Sequence, residues 1–241
     1  MNLILLYPEE VQASGQILSL KDRRFQHIAQ IHQPQIGDRL RAGLINGPIG
    51  EVEVLALSAS EVQLRWHLAA AKPSPDALPL ELVMALPRPK MLKRVLQTAA
   101  TLGVKSLWLI HSYRVDKSYW STPVLSPDSV HEHLCLGLEQ AGDTLLPQVH
   151  LRKRFKPFVE DELPALVAGR RALVAHPYQA QDCPAPAWQP SVLVLGPEGG
   201  FIPYEIAKLQ EAGVESVSLG SRILRVETAL PVLLTRLFPL R

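Results

Sequence analysis

Cysteine is scarce in this 241-residue chain: only Cys135 and Cys183 are present, without CxxC or metal-ligand spacing. A disulfide framework and a structural zinc site are therefore not expected, and no metal is. Charge of one sign is not in excess either. Twenty-five Lys and Arg face 23 Asp and Glu, a formal net charge of +2. That balance does not by itself point to nucleic acid, so an RNA surface would have to come from local clustering. No stretch has the length needed to cross a bilayer, which excludes a membrane span. The short apolar run within Met1 to Glu10 has no basic residue before it and stops at Pro8 and two acids, a poor signal peptide. The expected compartment is the cytoplasm.

What is present is material for a core. Hydrophobic residues make up 47 % and charged residues 20 %, outside the disordered range. The 21 prolines predict sharp segment boundaries. Up to about residue 71 the pattern is mostly β. Gly37-Asp38, Asn46-Gly47 and Gly50 are turn signals between Arg39 to Leu44, Glu51 to Leu57 and Val62 to Leu68. Short strands with tight turns suggest a small barrel. Asp22 to Ile31 reads as a short helix with Phe25, Ile28 and Ile31 on one side. Residues 72–79, rich in proline, read as a linker.

Residues 80–241 have a different rhythm. Strands are expected at Leu80 to Leu86, Ser106 to Ile110, Ala172 to Ala175, Val192 to Leu195 and Ser216 to Leu219. Helices are expected at Lys90 to Leu102, Pro127 to Ala141, Pro157 to Ala168, Pro203 to Ala212 and from about Val226. This alternation predicts an α/β domain with a parallel sheet covered on both faces.

The most informative segment is VLVLGPEGGFIPYE, Val192 to Glu205. An apolar strand runs into Gly196-Pro197-Glu198-Gly199-Gly200, and Pro203 stands where a helix would begin. Ligands of parallel sheets bind beyond the carboxyl ends of strands, and glycines let backbone groups approach them. A phosphate loop would need a Lys and a Ser or Thr after the glycines, where this chain has Phe201 and Ile202. The GxGxxG spacing of dinucleotide sites is absent too. An adenosine carrying a sulfonium suits such a loop better than a polyphosphate does. From the loop alone, a structural turn and a ligand cradle remain equally open. The second segment, SLGSRILRVETAL, places Arg222 and Arg225 on a tight turn before a helix. Taken alone, those arginines read as surface charges and Glu227 as a first-turn helix acid.

Together, GPEGGF with Glu205 and LGSRILRVETA resemble the signature pair of the RsmE-type ribosomal RNA uridine methyltransferases of the SPOUT class. Leu102-Gly103-Val104, the run Arg114 to Trp120 and Glu139-Gln140 fit the same pattern. The resemblance implies a PUA-like RNA-binding β-barrel over 1–71 and a SPOUT α/β trefoil-knot domain over 80–241. It implies a homodimer, with the active site completed across the subunit interface. S-adenosylmethionine (SAM) would methylate N3 of a uridine of 16S ribosomal RNA in the 30S subunit. The cofactor would lie on Ala175, His176, Leu195, Gly196, Glu198, Gly199, Gly200, Leu219, Gly220, Ile223, Leu224 and Arg225. Arg225 would stabilise the developing uracil anion, and Glu227 would orient it or cap the last helix.

Basic residues Arg23, Arg24, His27, Arg88, Lys90, Arg114, Arg152 and Arg154 are candidate RNA contacts, although charge runs are commonly solvated faces. Residues 1–72 carry seven basic and seven acidic side chains, so binding there would use a local patch. Three departures stand out: no arginine precedes Arg23, Thr101 replaces the usual acid, and Ala141-Gly142-Asp143 replaces Ser-Gly-Arg. Two rivals share the fold: an inactive RNA-binding or ribosome-assembly module, and a SPOUT methyltransferase acting on transfer RNA.

Overall fold

The computed structural model describes residues 2–12, 16–178 and 180–239, and the chain divides into two compact units. The first comprises Met1–Asp76 with Cys135–Leu146, the second Ala77–Leu134 with Pro147–Arg241.

The first unit is built on a five-stranded sheet. Its strands are β1 (Ile4–Leu6), β2 (Ile17–Leu20), β3 (Arg39–Leu44), β4 (Ile49–Leu57) and β5 (Val62–Lys72), in the order β1-β3-β4-β5-β2. Only β1 and β3 run parallel; the other pairings are antiparallel. Alternation sends one set of side chains inward. Val62, Leu64 and Trp66 are buried while Gln63 and Arg65 face water, and they meet Ile4, Leu6, Leu18, Val52 and Val54 in one core. β1, β2 and the short helix Pro8–Gln12 carry no distinct sequence period of their own and were not anticipated.

The helix expected at Asp22 to Ile31 consists of an α-turn, Arg23–His27, continued by a π-helical turn, Ile28–His32, which ends at Gln33 with φ +46°. Asp22 caps it by accepting from the Arg24 N–H at 2.8 Å. Arg24 is the first correction to the sequence reading. Its side chain is buried, and its guanidinium donates to Asp22, to Glu10 and to the Leu5 carbonyl. A phosphate cannot reach it without breaking that cluster. Arg23, by contrast, is partly exposed and makes a bidentate pair with the buried Glu139, at 2.7 and 2.8 Å.

That pair explains a second difference. Residues 80–241 were expected to form one domain after a 72–79 linker. Instead β5 runs to Lys72, the first unit runs to Asp76, and it includes Cys135–Leu146. The Asn2 N–H donates to the Glu139 carbonyl, and the Ser74 hydroxyl donates to Asp143 at 2.7 Å. Asp143, one of the departures from the family pattern, therefore holds a turn: it also accepts from the Leu145 N–H. Burial pushes the Cys135 thiol up to about 11, so it is a protonated packing group near neutrality.

The second unit carries a seven-stranded sheet, parallel throughout. Its strands are β6 (Leu80–Ala85), β7 (Ser106–Ile110), β8 (Gln148–Arg152), β9 (Arg171–Ala175), β10 (Gln181–Asp182), β11 (Ser191–Leu195) and β12 (Glu215–Ser218), ordered β10-β12-β9-β11-β6-β7-β8. Central strands are apolar on both faces, and every residue of β11 is buried. The helix expected at Pro157 to Ala168 is three short turns, the middle one π-helical at Phe158–Glu162. Among the described residues no helix is long and apolar enough to cross a membrane.

The assignment of Arg24 to folding has a direct check. Arg24→Ala should lower stability by roughly 3–5 kcal/mol in chemical denaturation, since two carboxylates lose their cation. Burial raises the Asp22 pKa, but the Arg24 side chain and backbone N–H outweigh it, and the carboxyl sits below its ordinary value of 3.8. Its stabilisation is complete above that value and is lost as pH falls through the lowered one. The acid-sensitive increment should vanish in Arg24→Ala; an unaltered denaturation midpoint would return Arg24 to the RNA candidates.

Candidate active site

The strand order determines where loops meet. β9 is flanked by β12 and β11, and the register pairs Ala175 with both Leu195 and Val217. Three segments far apart in sequence therefore emerge side by side beyond the carboxyl ends of adjacent strands. They are His176 to Tyr178, Gly196 to Gly200 and Leu219 to Leu224, and together they line one cavity of about 710 Å³.

Each wall has a local cause. After β11, the Gly200 N–H closes a turn on the Pro197 carbonyl at 2.8 Å. Pro203 then opens the helix Pro203–Glu211. Glu205, buried at 2 % exposure, accepts from the Ile202 N–H at 3.0 Å and from the Tyr113 N–H at 2.7 Å. One carboxylate thus caps a helix and anchors the loop that follows β7. That loop carries Arg114, whose guanidinium donates to the Gly199 carbonyl. Gly199 lets that side chain pack closely: a Cβ would lie 3.0 Å from the Arg114 Cδ, which would have to shift. After β12, Gly220 has φ +106°, a conformation that side chains other than hydrogen resist, and its N–H donates to the Ser218 hydroxyl. The helix Val226–Leu237 then begins at Arg225, whose carbonyl accepts from the Thr228 and Ala229 N–H groups.

The cofactor candidates Ala175, His176, Leu195, Gly196, Glu198, Gly199, Gly200, Leu219, Gly220, Ile223 and Leu224 all line this cavity. Arg225 is the exception: its neighbours Leu224 and Val226 line the wall, but Arg225 does not, and its side chain is exposed. Glu227 lies in the first turn of the last helix, outside the lining. Two cations do line it, Arg114 and Arg222. The first had been assigned to RNA and the second to the surface. Tyr178, Ile206 and Gln210 also face the cavity without having been anticipated. The strand preceding Tyr178 and the helical spacing of Ile206 and Gln210 were the available signals.

Electrostatically the cavity is mild. Burial lowers the His176 pKa below 6.5, so the ring is neutral near pH 7. Glu198 is paired with Arg88, its carboxylate accepting from Arg88 Nε at 3.1 Å and Arg88 N–H at 3.2 Å. Of the other RNA candidates, Arg152 donates from Nε to both carboxylate oxygens of Glu162 and lies 4.9 Å over the Trp108 ring. Lys90 and Arg154 are exposed, and His27 packs edge-on against His32 at 5.2 Å.

A parallel α/β unit with a glycine-walled cavity beyond three adjacent strands is a ligand-binding enzyme architecture. The family model described as RNA methyltransferase domain matches residues 74–238. The chain is also 30 % identical over 234 residues to ribosomal RNA small subunit methyltransferase E of Treponema pallidum, covering 95 % of this chain and 87 % of that protein. The chain belongs to the ribosomal RNA small subunit methyltransferase E family of RNA methyltransferases. Its fold is similar to ribosomal RNA small subunit methyltransferase E of Neisseria gonorrhoeae, solved bound to S-adenosyl methionine (TM-score 0.72, 22 % identity, 97 % of this chain and 95 % of that one). It is similar as well to a Legionella pneumophila protein solved with the cofactor SAM (TM-score 0.73, 23 % identity, 97 % and 96 %).

Glu205→Ala removes the acceptor of two N–H groups, each worth about 1.5–3 kcal/mol with a charged partner. Its melting temperature should fall by at least about 5 °C, with Glu205→Gln intermediate because one acceptor oxygen remains. A melting temperature within a degree of the unaltered protein would show that Glu205 does not hold the two loops together.

Proposed function

We propose that this chain transfers a methyl group from SAM to N3 of a uridine in 16S ribosomal RNA of the small subunit. The observation that carries this reading is the convergence of the turns at 196–200 and 219–224 on one cavity, in a chain of this family. The lining suits the cofactor. Leu195, Leu219 and Leu224 offer apolar contact for an adenine, and the glycines leave backbone groups accessible. A neutral His176 adds no repulsion to a sulfonium. When bound, SAM supplies an electrophilic methyl group.

The chain's own residues do the rest. The cavity walls hold the reacting groups in line, the main source of acceleration for a transfer between two bound partners. N3 carries a proton and becomes nucleophilic as that proton leaves, so a cation near the base lowers the barrier. Arg225 is our candidate for that cation. Its backbone is fixed at the start of the last helix while its side chain stays exposed, and a guanidinium remains charged in any setting. Glu227, one turn into the helix, orients Arg225 or favours the helix N-terminus. An exposed catalytic arginine beside its cavity is in keeping with a homodimer whose second subunit completes the site. The reading includes a trefoil knot in the second unit and, in the first, a PUA-like barrel that guides RNA in the cytoplasm. Lys90, Arg114 and Arg154 are the phosphate contacts we favour, Arg23, Arg88 and Arg152 being engaged by carboxylates.

Mass spectrometry of 16S ribosomal RNA from cells with and without this protein should differ by one methyluridine, which Arg225→Ala fails to restore while binding SAM. Identical RNA in the two cell lines would remove the proposed activity. SAM affinity should be level from pH 8 to 7 and weaken only below the ordinary histidine value of 6.5, as His176 gains a proton. The profile of His176→Gln should be flat; a fall shared by both proteins would assign the titration elsewhere.

A further inference from the structure

The solvent side of the cavity carries an aromatic residue that nothing above has used. Tyr178 lines the cavity yet is 62 % exposed. It stands three residues beyond the last residue of β9, after His176 and Pro177. Its ring meets the His176 ring in a T-shaped contact, centroids 5.9 Å apart and planes at 79°. Pro177 between them has a restricted φ, which limits how far the segment can swing. The phenol is therefore braced on one side by a neutral imidazole and open to water over most of its surface. Exposed tyrosines also occur at 113 and 204, but neither lines the cavity. Arg222, exposed, lines it as well.

We propose that the Tyr178 ring is the platform on which the target nucleobase stacks at the mouth of the cavity, with Arg222 taking an adjoining phosphate. The proposal rests on the methyl-transfer reading above and names the residues that receive its RNA. N3 lies on the pairing edge of uracil, so the base must be unpaired and turned out before it can react. A base in that state exposes both faces, and single-stranded RNA is held by stacking such faces on aromatic side chains. Phe201, the other aromatic carbocycle in the lining, is buried, and the exposed Ile223 is aliphatic and offers no π-face. A guanidinium in the same lining supplies the charge that a backbone phosphate requires.

The test uses the full-length protein, unmodified 30S subunits as substrate, and calorimetry with SAM alone. Tyr178→Ala should raise KM for the subunits about ten-fold, the size expected for one lost base–aromatic stack, with SAM affinity unchanged within about two-fold. Tyr178→Phe, which keeps the ring, should recover most of that loss, and Tyr204→Ala should match the unaltered protein. An unchanged KM in Tyr178→Ala overturns the proposal. So does an equal loss in Tyr178→Phe, which would implicate the hydroxyl, or a parallel loss of SAM affinity, which would make Tyr178 a cofactor wall. If the unaltered protein itself binds no SAM, the methyl-transfer reading fails and takes this one with it; intact SAM binding with an indifferent Tyr178 removes the stack alone.

Discussion

The Glu205 carboxylate ties together two stretches of chain that lie far apart in sequence. Its two oxygens accept from the N–H groups of Ile202 and Tyr113, 92 positions apart for Glu205 and Tyr113. A buried carboxylate is costly unless its lone pairs are used, and here oriented backbone dipoles use them. The consequence is geometric. The helix that follows the glycine turn cannot shift without moving the loop after β7, and that loop brings the Arg114 guanidinium to the Gly199 carbonyl. The turn is thus supported from its C-terminal end and from beneath. On the other side Gly220 and Ser218 fix the third wall by a local hydrogen-bonded turn. The cavity is preorganised by bonds made behind its walls at Glu205 and within them at Arg114–Gly199 and Gly220–Ser218.

Much of this was legible because it is local. A run of buried valines and leucines at 192–195, a glycine cluster and a proline at helix position one each encode their own conformation. That the three walls share a cavity depended on the order β12-β9-β11, which no window of sequence contains. β11 enters the sheet between β9 and β6, although it follows β10 in the chain. Two-residue β10 and the mixed-polarity β8, Gln148–Arg152, have too little period to announce themselves. They are strands because a neighbour offers an edge.

Charge was the least legible property, for the same reason. The cluster Arg23, Arg24 and His27 reads as an RNA-facing patch in one dimension. In three, Arg24 is buried among Glu10, Asp22 and the Leu5 carbonyl, and Arg23 takes up the buried Glu139. The acid partner of Arg23 lies 116 residues away, beyond any local pattern. Arg152 likewise spends its guanidinium on Glu162 and the Trp108 face. A near-zero net charge conceals this sorting: cations with designated carboxylates serve the fold, and those left at a surface remain for a polyanion.

That division bears on how a nearly neutral chain can handle RNA. Affinity for phosphates grows with each unpaired cation and falls with salt, whereas choice of one nucleotide needs contacts to the base itself. The cavity offers little of the first kind, two arginines, one of them already donating to Gly199. It offers more of the second: a braced aromatic ring at the mouth, apolar walls within and a neutral imidazole beside them. On the proposed reading, such a site gains discrimination by demanding that a base leave its stack and its pairing partner before it can enter. The energy for that step has to come from contacts made elsewhere on the RNA. A cavity with few charges of its own therefore fits a chain with further exposed cations outside it, such as Lys90 and Arg154.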